Sequence, residues 1–282
     1  MYISLSKSTP SHSPVETLDP TTDVSSRYDT IAPRFDLSVS STESLIGITR
    51  LRRKLSALAT GDVLEVSIGT GRNLTFYDWN FTAPKSLPSS MKRGKVKSFT
   101  AVDKSEPMLE IAHDKFSKEY PGILGIRWVV QDAVTTALPA PPVSANERSG
   151  NKKNKKYDTI IQTMGLCSTP NPTALLQNMA DALEPDGQIL LLEHGRSTWD
   201  FVNWALDRGA PGHADRYGCW WNKDIEGVIK GCGLEVLEFK RKHFGTTVWA
   251  ILGKKGAKRE EIKDRPMRGW GDAWERLQRL WT

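Results

Sequence analysis

The sequence has few cysteines, and their spacing along the chain matches neither a disulfide framework nor a known metal-binding motif. The 282-residue chain contains three, Cys167, Cys219 and Cys232, and no two of them form a Cys-x-x-Cys pair. Three scattered cysteines cannot build a disulfide framework. A structural zinc site normally uses four cysteine or histidine ligands at short spacings. We therefore predict reduced thiols and no bound metal.

Long apolar runs are also missing. The longest apolar stretches have the length of a strand, such as residues 189–192, whereas a membrane-spanning helix needs about 20 apolar residues. Residues 1–26 are rich in serine, threonine and proline. They lack the charged start and apolar centre of a secretory signal and the arginine-rich pattern of a mitochondrial presequence. We predict that this segment is disordered.

The excess of positive charge is small. The formal net charge is +6, with 38% hydrophobic and 26% charged residues, which is typical of a soluble globular protein. Basic residues gather in three runs, 92–97, 152–156 and 254–259. These runs are typical of solvated loops, and weak attraction to RNA or to an anionic membrane surface is the alternative. No aromatic residues are interleaved with them, so nucleic-acid binding is not favoured.

From residue 27 onward, strand and helix patterns alternate. The predicted strands are 62–66, 98–103, 126–131, 157–162, 188–193, 234–242 and 246–253. The predicted helices are 42–59, a short one from 73, 106–119, 172–183 and 222–232. Repeated strand–helix units form a parallel sheet, and the last two strands, with no helix between them, must pair antiparallel. We predict a Rossmann-like α/β fold with a seven-stranded, mostly parallel sheet, a C-terminal antiparallel hairpin and helices on both faces.

The domain predicted from this pattern spans residues 27–253, between the disordered segment and a basic tail at 254–282. The tail carries Trp270, Trp274, Leu277 and Trp281 on one face of a short helix. Such a helix could pack on the domain, lie on a membrane surface or bind a partner.

A glycine turn follows the first predicted strand. Gly69 and Gly71 let the backbone turn tightly and approach a ligand. Leu74 occupies the place of the third glycine in a dinucleotide-binding fingerprint, so that pattern fails. A Gly-Lys-Ser/Thr phosphate loop is also absent. Glu65, four residues before Gly69, could hold an ammonium group directly or through water.

Acidic residues end the next two strands. Asp103 could accept two ribose hydroxyls, or act as a capping or surface carboxylate. Asp132 could accept from an adenine amino group while the Ala133 N–H donates to the ring, or it could cap a helix. Residues after Gln162 would cover the apolar flank of the ligand. Since ligands bind beyond the carboxyl ends of parallel strands, this pattern indicates a pocket for an adenosine that carries an amino acid.

The order of these motifs resembles that of the class I S-adenosylmethionine-dependent methyltransferases. The glycine loop of that family, Glu/Asp-x-Gly-x-Gly-x-Gly, is present with Ser67 in place of the first glycine. Finer patterns resemble a fungal mitochondrial inner-membrane group linked to respiratory-oxidase assembly and, more distantly, the ubiquinone/menaquinone C-methyltransferases. These patterns lie at residues 28–29, 35–36, 47–53, 64–67, 217–224 and 243–247.

The resemblance implies that S-adenosylmethionine is the cofactor and S-adenosylhomocysteine the product. The cofactor-binding residues that it implies, together with those argued above, are Tyr28, Glu65, Ser67, Ile68, Gly69, Thr70, Gly71, Asn73, Asp103, Lys104, Met108, Asp132, Ala133, Met164, Gly165 and Leu166. It also implies a mitochondrial location and a membrane anchor before the domain. Because no such anchor is present, we expect either a soluble relative or one that lacks an N-terminal part; without the resemblance, the expected location would be the cytoplasm.

His194 is the predicted catalytic base, because it follows a buried strand and a histidine side chain can exchange a proton near neutral pH; a structural histidine bonded to the backbone is the alternative. His213 and Tyr217 are predicted to contact the substrate. The segment 196–221 should form an aromatic lid that suits a small or lipid-like acceptor, such as a quinone. The alternative function is a catalytically degenerate fold that serves as a mitochondrial assembly or RNA-associated factor. A nicotinamide-dependent reductase is disfavoured by the failed fingerprint and the terminal hairpin.

Overall fold

The computed structural model describes residues 20–79, 96–121, 123, 125–142 and 155–256. The predictions for residues 1–19 and for the tryptophan-rich helix in the tail lie outside the described residues. So do most of the basic runs at 92–97 and 152–156.

The described residues form six α-helices and seven strands. The helices are α1 (Arg27–Leu45), α2 (Ile48–Ser56), α3 (Glu106–Glu119), α4 (Pro172–Ala182), α5 (Asp200–Tyr217) and α6 (Ile225–Gly231). The strands are β1 (Gly61–Val66), β2 (Val96–Asp103), β3 (Ile126–Val130), β4 (Tyr157–Thr163), β5 (Leu183–His194), β6 (Glu235–Lys242) and β7 (Thr247–Gly253). A 3₁₀ turn covers Leu74–Phe76.

The strands form one sheet in the order β3-β2-β1-β4-β5-β7-β6. The first five run parallel. Strand β7 lies between β5 and β6 and is antiparallel to both. The order reverses direction between β1 and β4, and at such a switch point the carboxyl ends of the strands leave a crevice for a ligand. The predicted fold class is confirmed.

The sheet is covered on both faces by apolar helix faces. On one side, Leu55 of α2 and Phe116 of α3 pack with Phe99 of the sheet. On the other side, Met179 of α4 and Ile229 of α6 pack in a second buried cluster. Both faces of β1 are therefore buried, which explains its nearly continuous apolar sequence.

The helix predicted over residues 42–59 is two helices. Gly47 has a φ of +83° and separates α1 from α2, and the prediction missed most of α1. Leu45 and Ile46, which the pattern placed on the buried face, are 88% and 46% exposed. The apolar spacing marks a buried helix face only from Ile48 onward. The sequence pattern therefore joined the end of α1 to the start of α2.

Other element boundaries differ by smaller amounts. The turn predicted at 184–187 is part of β5, where the register against β4 is irregular. The helix predicted from residue 73 is only the 3₁₀ turn. Helix α6 begins at Ile225, after the N-cap Asp224, rather than at Asn222. Helix α3 has the predicted bounds, and the Ser105 side chain accepts from the Met108 N–H at its start.

The folded region extends upstream of Arg27. Val24 is fully buried and packs with Ala210, Ala214 and Trp220. The Trp220 indole donates to the carbonyl of Thr22 at 3.0 Å. These contacts attach the segment before α1 to helix α5. In the described part of the chain, no helix is both long and apolar enough to span a membrane.

Candidate cofactor site

A cleft opens at the carboxyl ends of β1, β2, β3 and β4. Its volume of about 230 Å³ is several times the ~30 Å³ share of one water molecule, so an organic ligand fits. Twelve residues predicted from the sequence line it. They are Tyr28, Ser67, Ile68, Gly69, Thr70, Asp103, Lys104, Met108, Asp132, Ala133, Met164 and Gly165.

The loop after β1 has an unusual backbone. Gly69 and Gly71 have φ values of +56° and +74°, which glycine adopts without strain. A Cβ on Gly71 would lie 2.4 Å from the side chain of Leu74. Ser67 has a φ of +54°, although a residue with a side chain is strained there. The chain therefore keeps the glycine-type turn at Ser67 and accepts the strain.

Asp103, at the end of β2, is fixed by backbone donors. It accepts from the Gly69 N–H at 2.7 Å and from the Ser105 N–H at 2.9 Å. Burial raises the pKa of its carboxyl to about 6, although these N–H donors act in the opposite direction. Each carboxylate oxygen has further lone pairs, so the group can still accept from a ligand diol at neutral pH.

The Lys104 ammonium links two acidic residues at the cleft. It lies 3.1 Å from Asp23 and 3.3 Å from Asp132. Asp132 also accepts from the Val134 N–H at 2.9 Å, so it caps the turn after β3; no helix begins there in the described residues. Its other oxygen faces Lys104. A ligand amino group bound to this oxygen would compete with Lys104.

Glu65 does not line the cleft. It is buried, and it accepts from Asn73 Nδ2 and from the Tyr77 hydroxyl, each at 2.7 Å. Burial raises the pKa of the Glu65 carboxyl to about 7, against the effect of these donors. Its two oxygens hold the loop after β1, so direct binding of a ligand ammonium, one of the two predicted modes, does not fit this geometry. Asn73, which donates to Glu65, is buried with it.

Helix α1 is held over the cleft by ion pairs. Asp36 accepts from the Thr70 hydroxyl at 2.6 Å and from Arg72 at 3.0 Å, and it contacts Lys115 of α3. Glu43 pairs with both Arg72 and Arg52. These contacts place Tyr28 and Phe35 of α1 against the cleft.

The loop after β4 is fixed by a buried carboxyl group. Glu193 of β5 accepts from the N–H groups of Gly165 and Leu166, both at 3.1 Å. Burial raises the pKa of this carboxyl to about 8, and negative charge on the nearby Cys167 sulfur would act in the same direction. Met164 has a φ of +58°. Glu193 thus sets the path of the chain along the cleft wall.

The remaining predicted residues lie outside the lining of the cleft. They are Glu65, Gly71, Asn73, Leu166, His194, His213 and Tyr217. Lining residues that the sequence did not indicate include Asp23, Ser25, Arg52, Gln131, Ser168 and Thr169. Gln131 and Ser168 adjoin predicted segments and could have been found from them. Arg52 gave no signal, because it is one of several basic residues on a helix.

His194 has an environment that the sequence did not indicate. Its Nε2 lies 3.1 Å from Cys167 Sγ and 2.7 Å from Cys219 Sγ, and the two sulfur atoms are 2.9 Å apart. No cysteine spacing predicted this group, which has the composition of a metal site. His213 bonds the Cys219 carbonyl through Nδ1 at 2.9 Å and stacks on Trp221. Tyr217 lies against the His213 ring.

Two lines of comparison agree with this architecture. A family model described as "Methyltransferase domain" matches residues 46–238. The mitochondrial methyltransferase OMS1 of Saccharomyces cerevisiae is 37% identical over 243 residues, which are 85% of this chain and 48% of the yeast protein. The chain therefore spans about half the length of this curated relative.

Solved structures share the fold at low identity. Magnesium protoporphyrin IX methyltransferase of Synechocystis PCC 6803, solved with bound S-adenosylhomocysteine, is 14% identical with a TM-score of 0.53; 84% of this chain and 100% of that one are covered. The [4+2]-cyclase SpnF is 16% identical with a TM-score of 0.53; 79% of this chain and 75% of that one are covered. The predicted family is confirmed, and with it the cofactor. The chain belongs to the methyltransferase domain family, in its class I S-adenosylmethionine-dependent form.

Proposed function

We propose that this chain transfers the methyl group of S-adenosylmethionine to a small or lipid-like acceptor. The observation that carries the proposal is Asp103. Its carboxylate lies in the cleft beside the Gly69 turn, is ionised at neutral pH and retains free lone pairs. An acceptor of this kind at the end of the second strand suits the two hydroxyls of a ribose.

Other residues suit the rest of the cofactor. Asp132 and the Ala133 N–H offer an acceptor and a donor for an adenine edge, while Met108 and Leu175 supply apolar surface. The turn at Ser67 and Gly69 exposes backbone to the amino-acid end. When bound, the cofactor supplies an activated methyl group on a sulfonium. The protein then has to position the acceptor and exclude water.

The acceptor is proposed to be apolar because of the surface near helix α5. Trp199, Phe201, Trp204 and Phe244 are all at least half exposed, and Trp199 contacts Phe201 and Phe244. Exposed aromatic groups of this kind are typical of sites that meet a lipid or an apolar ligand. Of the predicted lid residues, Trp220 is instead buried and Trp221 stacks on His213.

A mitochondrial location and a role in respiratory function are part of the proposal. Support comes from the mitochondrial relative in yeast and from the sequence patterns shared with its group. We also propose peripheral contact with an anionic membrane through the basic tail at 254–282, since basic residues near such a surface are attracted to it.

A methyl-transfer assay tests the proposal. The chain is incubated with S-adenosylmethionine labelled in the methyl group and with separate lipid, quinone and RNA fractions of mitochondria. We expect label in the lipid or quinone fraction, and its loss in Asp103→Asn. Asp114→Asn is the matched control, because Asp114 on α3 is 70% exposed and lies outside the cleft lining. Label in RNA alone would contradict the proposed acceptor class.

The degenerate-fold alternative is favoured by one observation, the strained Ser67 in place of a family glycine. The cyclase with the same fold also shows that this architecture alone does not fix an activity. This alternative predicts that every fraction stays unlabelled, even when the chain binds the cofactor.

A further inference from the structure

We propose that Cys167, His194 and Cys219 form a binding site for one thiophilic d¹⁰ metal ion, Zn²⁺ or Cu⁺. The three ligand atoms form a triangle with sides of 2.7, 2.9 and 3.1 Å. Thiolate and imidazole are the ligands that these ions prefer. The proposal is independent of methyl transfer.

The three residues come from separate parts of the chain. Cys167 lies in the loop after β4, His194 ends β5, and Cys219 follows α5. They are 27 and 25 residues apart, so no local turn brings them together by default. An ion bound by these three ligand atoms would cross-link the sheet to the segment that follows helix α5.

The geometry needs only a small adjustment to hold an ion. With bonds of about 2.3 Å to sulfur and about 2.0 Å to nitrogen, a tetrahedral centre sets its ligand atoms roughly 3.5–3.8 Å apart. Each side of the triangle must therefore lengthen by less than about 1 Å, which side-chain rotation supplies. Among the described residues no fourth cysteine, histidine or carboxylate joins the group, so a water or an exogenous ligand would complete it.

The surroundings hold the ligands in place. Gly218 has a φ of +69° and directs the chain into Cys219. The Trp220 N–H donates to the Cys167 carbonyl at 3.1 Å, and His213 bonds the carbonyl of Cys219. Outer contacts that orient the ligands are typical of built metal sites.

Charge favours an ion over two free thiolates in this buried position. Both cysteines are buried, and an uncompensated buried charge is costly. When Zn²⁺ binds, each thiol releases its proton to solvent, and the two thiolates neutralise the ion. A disulfide would require only the two sulfur atoms. The imidazole nitrogen in contact with both sulfurs is a third ligand atom that a disulfide does not use.

The site lies directly behind the wall of the cleft. Ser168, which lines the cleft, follows Cys167 and bonds the Tyr28 hydroxyl at 2.8 Å. The Ser168 hydroxyl is 3.7 Å from Cys167 Sγ. An ion here would stiffen the loop from Met164 to Ser168 at the point where it meets the cofactor cleft.

The test is a metal analysis of the whole chain, purified under reducing conditions without chelator. We expect one equivalent of zinc or copper per chain, and a thiolate-to-cobalt charge-transfer band when Co²⁺ replaces it. Cys167→Ser, Cys219→Ser and His194→Ala should each weaken binding more than about 100-fold, beyond what loss of an outer contact costs. Cys232→Ser is the matched control, because this buried thiol bonds the Ile229 carbonyl, apart from the cluster. Competition with chelators specific for Zn²⁺ and for Cu⁺ identifies the ion.

A second readout does not depend on the variants' folding. Added Zn²⁺ or Cu⁺ should raise the melting temperature of the metal-free wild type, because an ion that binds only the folded state stabilises it. The proposal is overturned if the chain carries no metal, shows no cobalt band and gains no stability. It is also overturned if Cys167→Ser binds as tightly as the wild type, or if a Cys167–Cys219 disulfide forms in reducing buffer and excludes the ion.

Discussion

At the scale of single residues, Ser67 is where the sequence departs from its family and the structure pays a conformational cost. It holds a left-handed backbone that glycine would hold freely. Its hydroxyl is 3.5 Å from Gln162 Nε2, which is at the limit of a hydrogen bond. The side chain therefore contributes little to offset the strain.

Replacing Ser67 by glycine should stabilise the fold. Relief of the left-handed strain stabilises the folded state by about 1–2 kcal/mol. Glycine also makes the unfolded chain more flexible, which lowers stability by about 0.5–1 kcal/mol. The free energy of unfolding should therefore rise by about 0.5–1 kcal/mol. Urea denaturation measures it. Ser67→Ala is the control, since it keeps a Cβ at this φ and should gain nothing. A glycine variant no more stable than the alanine variant would contradict the strain.

At the scale of elements, α1 acts as a cover fastened by its acidic side chains. Asp36 joins it to Thr70 and Arg72 of the glycine loop, and to Lys115 of α3. These pairs are partly buried, where ionic hydrogen bonds are worth more than on the open surface. Helix and loop should therefore move together.

Asp36→Asn should loosen this cover. Weakening these charge-assisted bonds by about 1.4 kcal/mol corresponds to a tenfold loss of affinity for S-adenosylhomocysteine. Hydrogen exchange should also be faster across α1. Asp114→Asn on α3 is the control, because Asp114 is 70% exposed and contacts only His113 among the ion pairs described. Unchanged affinity and exchange in Asp36→Asn would show that the helix is held by packing alone.

The elements also show how far the sequence can be interpreted. The strands were predictable, because burial on both faces leaves short apolar runs in the sequence. Helix α3 was predictable, because the Ser105 cap marks its start. The break at Gly47 was not, since exposed Leu45 and Ile46 continue the apolar spacing of α2. The Cys167–His194–Cys219 cluster had no local signal, because its members meet only through the topology of β4, β5 and α5. Glu65 was placed correctly on its strand, but its partners Asn73 and Tyr77 become visible only in three dimensions.

At the scale of the whole molecule, buried carboxyl groups set the pH dependence of stability. The pKa of Glu65 is raised to about 7 and that of Glu193 to about 8, in each case chiefly by burial. Their unfolded values lie near 4.3. At pH values between the unfolded and folded pKa, the folded state binds more protons than the unfolded state. The stability that these two protonated carboxyl groups contribute is therefore complete below about pH 4 and is lost as the pH rises through 7 to 8.

The free energy of unfolding should therefore fall between pH 6 and pH 8.5, by about 4 kcal/mol if both groups titrate at these values. Urea titrations across this range measure it. Glu65→Gln should flatten part of the slope, because the amide does not titrate and can still bond Asn73 and Tyr77. A wild type whose stability rises over this range would contradict the raised pKa values.

Binding of S-adenosylmethionine should depend most on Asp103, the residue proposed to hold its ribose. Calorimetric titration with S-adenosylmethionine and S-adenosylhomocysteine tests it on the wild type, Asp103→Asn and the control Asp114→Asn. We predict one site per chain, with affinity about 10–100-fold weaker in Asp103→Asn and unchanged in Asp114→Asn. A folded wild type that binds neither compound, or an Asp103→Asn variant that binds both as tightly as the wild type, would show that Asp103 does not hold the cofactor.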